Sequence, residues 1–332
     1  MNVKQCAALA LLWLVAGVSP ATSLFPDSPS SGRLFFLDIR GGRVVSASPD
    51  GSDIKVLISG RTGIPDGIVV DTEGGHVYWT VMGKPAADDG LIERVDLDGA
   101  HLTTIVPAGG AFTPKQLKLD PIHHKLYWSD REGMRVMRSN LDGTNIETLV
   151  ETGHGDSDRR DSRNWCVGIA LDVAGGNVYW TQKGGDSAGV GSIRRAGIEL
   201  RAGEDAAHRS DVEVLFEKLP EPIDLDLDLT RRMIYWTDRG DPPRGNTVSR
   251  APMDPPRGIS PAMRTDQQII MGDLKEGIGI ALDVPGNLLY ATDLGGSVYR
   301  ARLDGSERKT LLSGQGSLTG IAFVRLTRTN GE

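Results

Sequence analysis

The sequence predicts an all-β fold: a six-bladed β-propeller of four-stranded antiparallel blades, the first closed by the C-terminal strand. Three observations carry this. A short aromatic strand is spelled six times, as RLFFLD, HVYWTV, KLYWSD, NVYWTQ, MIYWTD and LLYATD. The first aromatics, Phe35, Tyr78, Tyr127, Tyr179, Tyr235 and Tyr290, are spaced by 43, 49, 52, 56 and 55 residues, a period that marks propellers and solenoids. An apolar segment ending in Asp precedes five of them, with Asp71, Asp120, Asp172, Asp228 and Asp283 each seven residues before its tyrosine.

Taken in chain order, residues 1–21 have the layout of a secretory signal peptide. Lys4 precedes an apolar run from Cys6 to Val18, and Ser19-Pro20-Ala21 supplies small residues for cleavage. The run is short for a membrane span, so the expected location is the secretory pathway or outside the cell. Residues 32–325 form the propeller and 326–332 a tail. Blade 1 has strands for FFLD, RVVSAS and IKVLIS but nothing apolar before Phe35. Its missing inner strand is GIAFV, Gly320 to Val324. Closing the ring this way removes exposed sheet edges.

Each later blade opens with an inner strand: GIVVD, QLKLD, GIALD, DLDLD, and GIALD again. The terminal Asp begins a turn by accepting nearby backbone N–H groups. The aromatic strand comes second. Successive residues point to opposite faces, so each aromatic pair fills both sides of a blade sandwiched between two neighbours. A third strand ends in Asp-Gly hairpins at Asp98-Gly99, Asp142-Gly143 and Asp304-Gly305. Short outer strands such as TTIV and ETLV complete the unit.

Composition narrows the function classes. The formal charge is −7 without Lys/Arg clusters, which argues against nucleic acid or an anionic membrane as partner. Cys166 is the only cysteine outside the leader, so packing rather than a disulfide must hold the domain; it is expected as a plain buried thiol. The histidines show no zinc-binding spacing, and neither a glycine-rich phosphate loop nor a GxSxG elbow occurs.

The repeats resemble the YWTD repeats of the LDL-receptor class B family, six-bladed propellers found mainly in cell-surface receptors. Val81 and Gln182 replace the final Asp of the motif, and Ala291 replaces tryptophan. The Cys-rich modules on which receptor function depends are missing from this sequence. Its layout is similar to small fungal YWTD proteins, among them hetero-Diels–Alderases of tropolone-sesquiterpenoid biosynthesis. That resemblance implies dehydration of a hydroxymethyl tropolone to a quinone methide, which then adds to a humulene-type terpene. It implies small polyketide and terpene substrates, no cofactor and no bound metal. Two alternatives stay open: a non-catalytic propeller that binds a protein or peptide, and a calcium-dependent lactonase-like hydrolase drawing on Asp66, Asp224 and Glu276.

The constant register locates candidate site residues at one mouth of the channel. Positions just ahead of the inner strands include Asp66 and Lys115; two residues earlier stand Trp165 and Glu276; loops after the aromatic strands contribute Arg131, Lys183 and Arg239. Trp165 lies outside the repeat, in the long insert GHGDSDRRDSRNWC, and is a candidate wall for a planar ligand; a tryptophan pinning its own loop explains it equally. Mid-strand, the aligned column reads Val69, Lys118, Ala170, Asp226, Ala281 and Ala322. The two charges are expected to meet across the channel, as a buried ion pair or as a proton donor and acceptor.

Overall fold

The computed structural model describes residues 32–325. The leader expected at 1–21 and the tail at 326–332 lie outside the described residues. Six four-stranded sheets follow one another around an axis. The inner strands are Pro65–Asp71, Pro114–Asp120, Cys166–Asp172, Pro222–Asp228, Gly277–Asp283 and Leu318–Arg325. The last of these pairs antiparallel with Gly32–Asp38 and completes blade 1. Inner strands begin earlier than their pattern suggests. Pro65 faces Val81 and Ile68 faces Trp79, so a bulge carries the strand on through residues 66 and 67.

The aromatic pairs work as their alternation predicts. Six buried clusters sit between successive blades, each combining the first aromatic of one blade with the second of the next. Tyr78 meets Trp128, Tyr127 meets Trp180, and Tyr179 meets Trp236. Tyr290 meets Phe36, and Phe35 meets Trp79. In the remaining interface Tyr235 meets Ala291, and Tyr299 fills the missing indole's space. Tyr299 is the cross-strand neighbour of Ala291, so the small residue is compensated locally.

The third motif position links the blades. Thr181 Oγ1 accepts from Gly168 N at 2.7 Å and donates to the Ile223 carbonyl of the next blade at 2.7 Å. Thr80, Thr237 and Thr292 repeat this geometry, and Ser129 donates to the Gly168 carbonyl. Blade 1 has Leu37 at this position, and there Thr319 Oγ1 donates to the Pro65 carbonyl. The glycine of GIALD follows from the same close approach: a Cβ on Gly168 would lie 2.3 Å from the Ile223 carbonyl oxygen.

The acids close the turns as expected. Asp71 accepts from Gly74 N, Asp120 from Ile122 N and His123 N, and Asp172 from Gly175 N. Cys166 is fully buried, and burial pushes its thiol up to about 12. Among the described residues no helix is long and apolar enough to cross a membrane.

Candidate functional site

Most of the candidate residues are engaged with one another. Asp66 and Lys115, now inside their inner strands, form a buried ion pair joining blades 2 and 3; Gln116 Nε2 also donates to Asp66 at 2.9 Å. Around the rim, Lys183 Nζ lies 2.6 Å from Glu221 and 2.9 Å from Asp186. Arg239 shares both acids and reaches Glu276 at 3.6 Å. Arg131 pairs with Glu132, the next residue.

Trp165 joins this network through its ring. The insert before it folds into a short helix, Gly155–Arg159, and a 3-10 turn, Ser162–Asn164. The indole N–H donates to the Arg159 carbonyl at 2.8 Å and pins the loop. The Arg131 guanidinium sits 5.0 Å from the ring centroid and the Lys183 ammonium 5.8 Å away. Cation–π attraction of this kind holds cations over an aromatic face. Trp165 therefore pins its own loop and carries two cations over its ring.

Deeper in the channel, Lys118 Nζ and Asp226 Oδ1 stand 3.7 Å apart, with side chains 22% and 25% exposed. Burial works against the Lys118 charge, but Asp226 and Asp224 outweigh it and hold the ammonium above the ordinary lysine range. Both acids also cross to blade 6: Asp224 accepts from Ile280 N and Asp226 from Leu282 N, each at 3.1 Å. Two carboxylates share one ammonium, and Asp224 is the more deeply buried. Burial pushes Asp224 up to about 7, against the pull of Lys118.

The structure also exposes an acid that motif reading passes over. Asp38, Asp130 and Asp238 each accept backbone N–H groups that tie the aromatic strand to the incoming loop. Asp38 and Asp130 face Arg43 and Arg135 across the hairpin and pair with them. Asp238 faces Thr247 instead. Burial with no cation opposite pushes Asp238 up to about 7, and the Glu221 carboxylate adds to the effect. The sign follows from proton binding: an acid held above its ordinary 3.8 stabilises the fold fully below pH 3.8 and loses that contribution as pH rises through about 7. Asp238→Asn should match wild type in melting temperature near pH 5 and equal or exceed it near pH 8. A melt series across that range checks this, and a uniform loss at every pH would contradict it.

The proposed calcium ligands do not converge: Asp66 is committed to Lys115, Asp224 to blade 6, and Glu276 to Arg239. No group of three His, Cys, Asp or Glu side chains suited to a metal gathers among the described residues.

Comparison with known proteins places these features. No family model matches the chain. It is 43% identical over 308 residues to a Pyricularia oryzae protein named low-density lipoprotein receptor-related protein 1, covering 89% of this chain and 98% of that one. It is 37% identical to the Cochliobolus heterostrophus protein LAM1, named 3-hydroxyacyl-CoA dehydrogenase-like, covering 93% of this chain and 68% of LAM1. Among solved structures, a chain of a nidogen/laminin complex superposes with a TM-score of 0.66 at 22% identity, covering 89% of this chain and 98% of that chain; this likeness speaks for the fold alone. Six YWTD-type blades, a ring closed by the C-terminal strand and extensive identity to the Pyricularia protein agree: the chain belongs to the low-density lipoprotein receptor-related family of YWTD propellers.

Proposed function

We propose that the protein is a cofactor-independent cyclase of the hetero-Diels–Alderase type, acting on a hydroxymethyl tropolone and a humulene-type terpene at the Trp165 mouth. The observation that carries this reading is the placement of Arg131 and Lys183 over the indole. Two cations held over an aromatic ring, each also paired with a neighbouring acid, offer hydrogen-bond donors to the oxygens of a planar tropolonate. Arg239 and Glu276 continue this row of ion pairs along the rim. The Asp66–Lys115 pair braces it between blades 2 and 3. Beneath it, Lys118 and Asp226 line the channel. The tropolone loses its ring hydroxyl proton, the hydroxyl of the hydroxymethyl group gains a proton and leaves as water, the CH2 stays on the ring as the methide, and the quinone methide adds to an alkene. No electrons are gained or lost overall. The dehydrogenase-like name of LAM1 supports an enzyme setting for the family, but the glycine-rich dinucleotide loop of a dehydrogenase does not occur in this sequence.

A second reading, a non-catalytic surface for a protein or peptide, is favoured by the pairing of Lys115, Arg131, Lys183 and Arg239 with acids. Incubating purified protein with a hydroxymethyl tropolone and humulene separates the two. The cyclase reading expects a product ratio distinct from the uncatalysed one, lost in Lys183→Met with the melting temperature within a few degrees of wild type. Uncatalysed ratios with wild-type protein sink it.

A further inference from the structure

A second cleft, between blades 3 and 4, holds an uncompensated cation. It encloses about 430 Å³ and is lined by Val150, Thr152, Trp180, Gln182, Arg194 and Val212, among others. Arg194 is the cross-strand neighbour of Trp180. In blade 2 the corresponding partner of Trp79 is Glu93, which is 1% exposed and gripped at both oxygens by Arg61 from the preceding loop. Blade 4 inverts the charge at this position without supplying the counter-ion. Among the described residues no carboxylate lies in ion-pair contact with Arg194, whose one side-chain hydrogen bond runs from Nε to Ser192 Oγ at 3.2 Å. The acids at the rim are otherwise engaged: Asp161 by Arg163 and Glu151 by His154.

Two buried polar atoms in the same lining have no partner, Nε1 of Trp180 and Oε1 of Gln182, in residues 0% and 4% exposed. One is a donor and one an acceptor, and leaving either unmet in the interior is costly. Trp128 Nε1 is also unpartnered, but it faces Met137, so no charge accompanies it. Burial acts on Arg194 as well, depressing its affinity for its proton against the weaker opposing pull of Cys166 and Glu217, neither of which is in ion-pair contact with it.

We propose that this cleft is a binding site for a small hydroxylated carboxylate. The carboxylate takes the Arg194 guanidinium and the Trp180 N–H, a hydroxyl donates to Gln182 Oε1, and an apolar body lies between Val150 and Val212. The proposal does not rest on the cyclase reading, although Asn164 and Gln182 of this lining adjoin Trp165 and Lys183 in the chain.

Titration calorimetry with 3-hydroxybenzoate, benzoate and 3-hydroxybenzyl alcohol as probes tests it on the whole chain. Wild type should bind 3-hydroxybenzoate saturably, benzoate more weakly, and the alcohol not measurably. Arg194→Met should weaken 3-hydroxybenzoate by at least about tenfold, the scale of a lost hydrogen bond to a charged group, and Arg194→Lys by less, since the charge remains without the planar fork. Gln182→Met should erase the preference for 3-hydroxybenzoate over benzoate. Because Arg194 holds no ion pair, Arg194→Met should melt like wild type. Unchanged affinity in a folded Arg194→Met, saturable binding of the alcohol, or no saturable binding of 3-hydroxybenzoate by wild type overturns the proposal.

Discussion

Replacing Asp130 by alanine should destabilise the propeller by about 3–5 kcal/mol, the range for removing one partner from a buried charged pair. Its carboxylate is 0% exposed and accepts from Thr113 N at 2.7 Å, Phe112 N at 3.0 Å and Arg135 Nη2 at 2.6 Å. Alanine strands two backbone donors and an arginine together. Urea midpoints at pH 7 measure the effect. Asp130→Asn should be intermediate, because an amide keeps one acceptor oxygen but turns a donor toward Arg135. The same exchange at Asp238, where no arginine waits, should cost little. A loss under about 1 kcal/mol for Asp130→Ala would mean that water replaces the lost acceptor.

Thr181→Val should cost about 2–6 kcal/mol, since two buried backbone groups lose their partner at about 1–3 kcal/mol each. Valine keeps the shape and removes only the hydroxyl that bridges Gly168 N and the Ile223 carbonyl. The loss falls between blades 4 and 5, so amide exchange should quicken first along Cys166–Asp172 and Pro222–Asp228 rather than throughout. Uniform acceleration would instead show that the ring opens as one unit.

The repeat made much of this architecture legible. Counting back from each tyrosine located five of the six inner strands, the match of GIAFV to GIALD supplied the sixth, and the column through Lys118 and Asp226 predicted a meeting that the structure places at 3.7 Å. Register works here because inner strands converge on one axis, so equal positions lie at equal depth. Loop chemistry was harder to read. Glu132 and Asp186 complete the rim pairs, yet they stand on turns whose directions no periodicity fixes; Glu221 shares the register column of Trp165 and Glu276. The repeat located Trp165, Arg131 and Lys183 separately, but not the gathering of both cations over one ring. The unusual state of Asp238 was within reach, because pairing the aromatic strand with the third strand sets Arg43, Arg135 and Thr247 in one column.

The closure of blade 1 also bears on how the chain reaches its fold. Its first strand, Gly32–Asp38, finds its inner partner only in Leu318–Arg325. During synthesis five blades can assemble before that partner leaves the ribosome, while Gly32–Asp38 keeps an open edge. The entropy of joining such distant segments grows only logarithmically with their separation, but non-local pairings slow folding. Completion of the ring is therefore the natural late step, and until it occurs the inner edge of blade 1 is open to strands from other molecules.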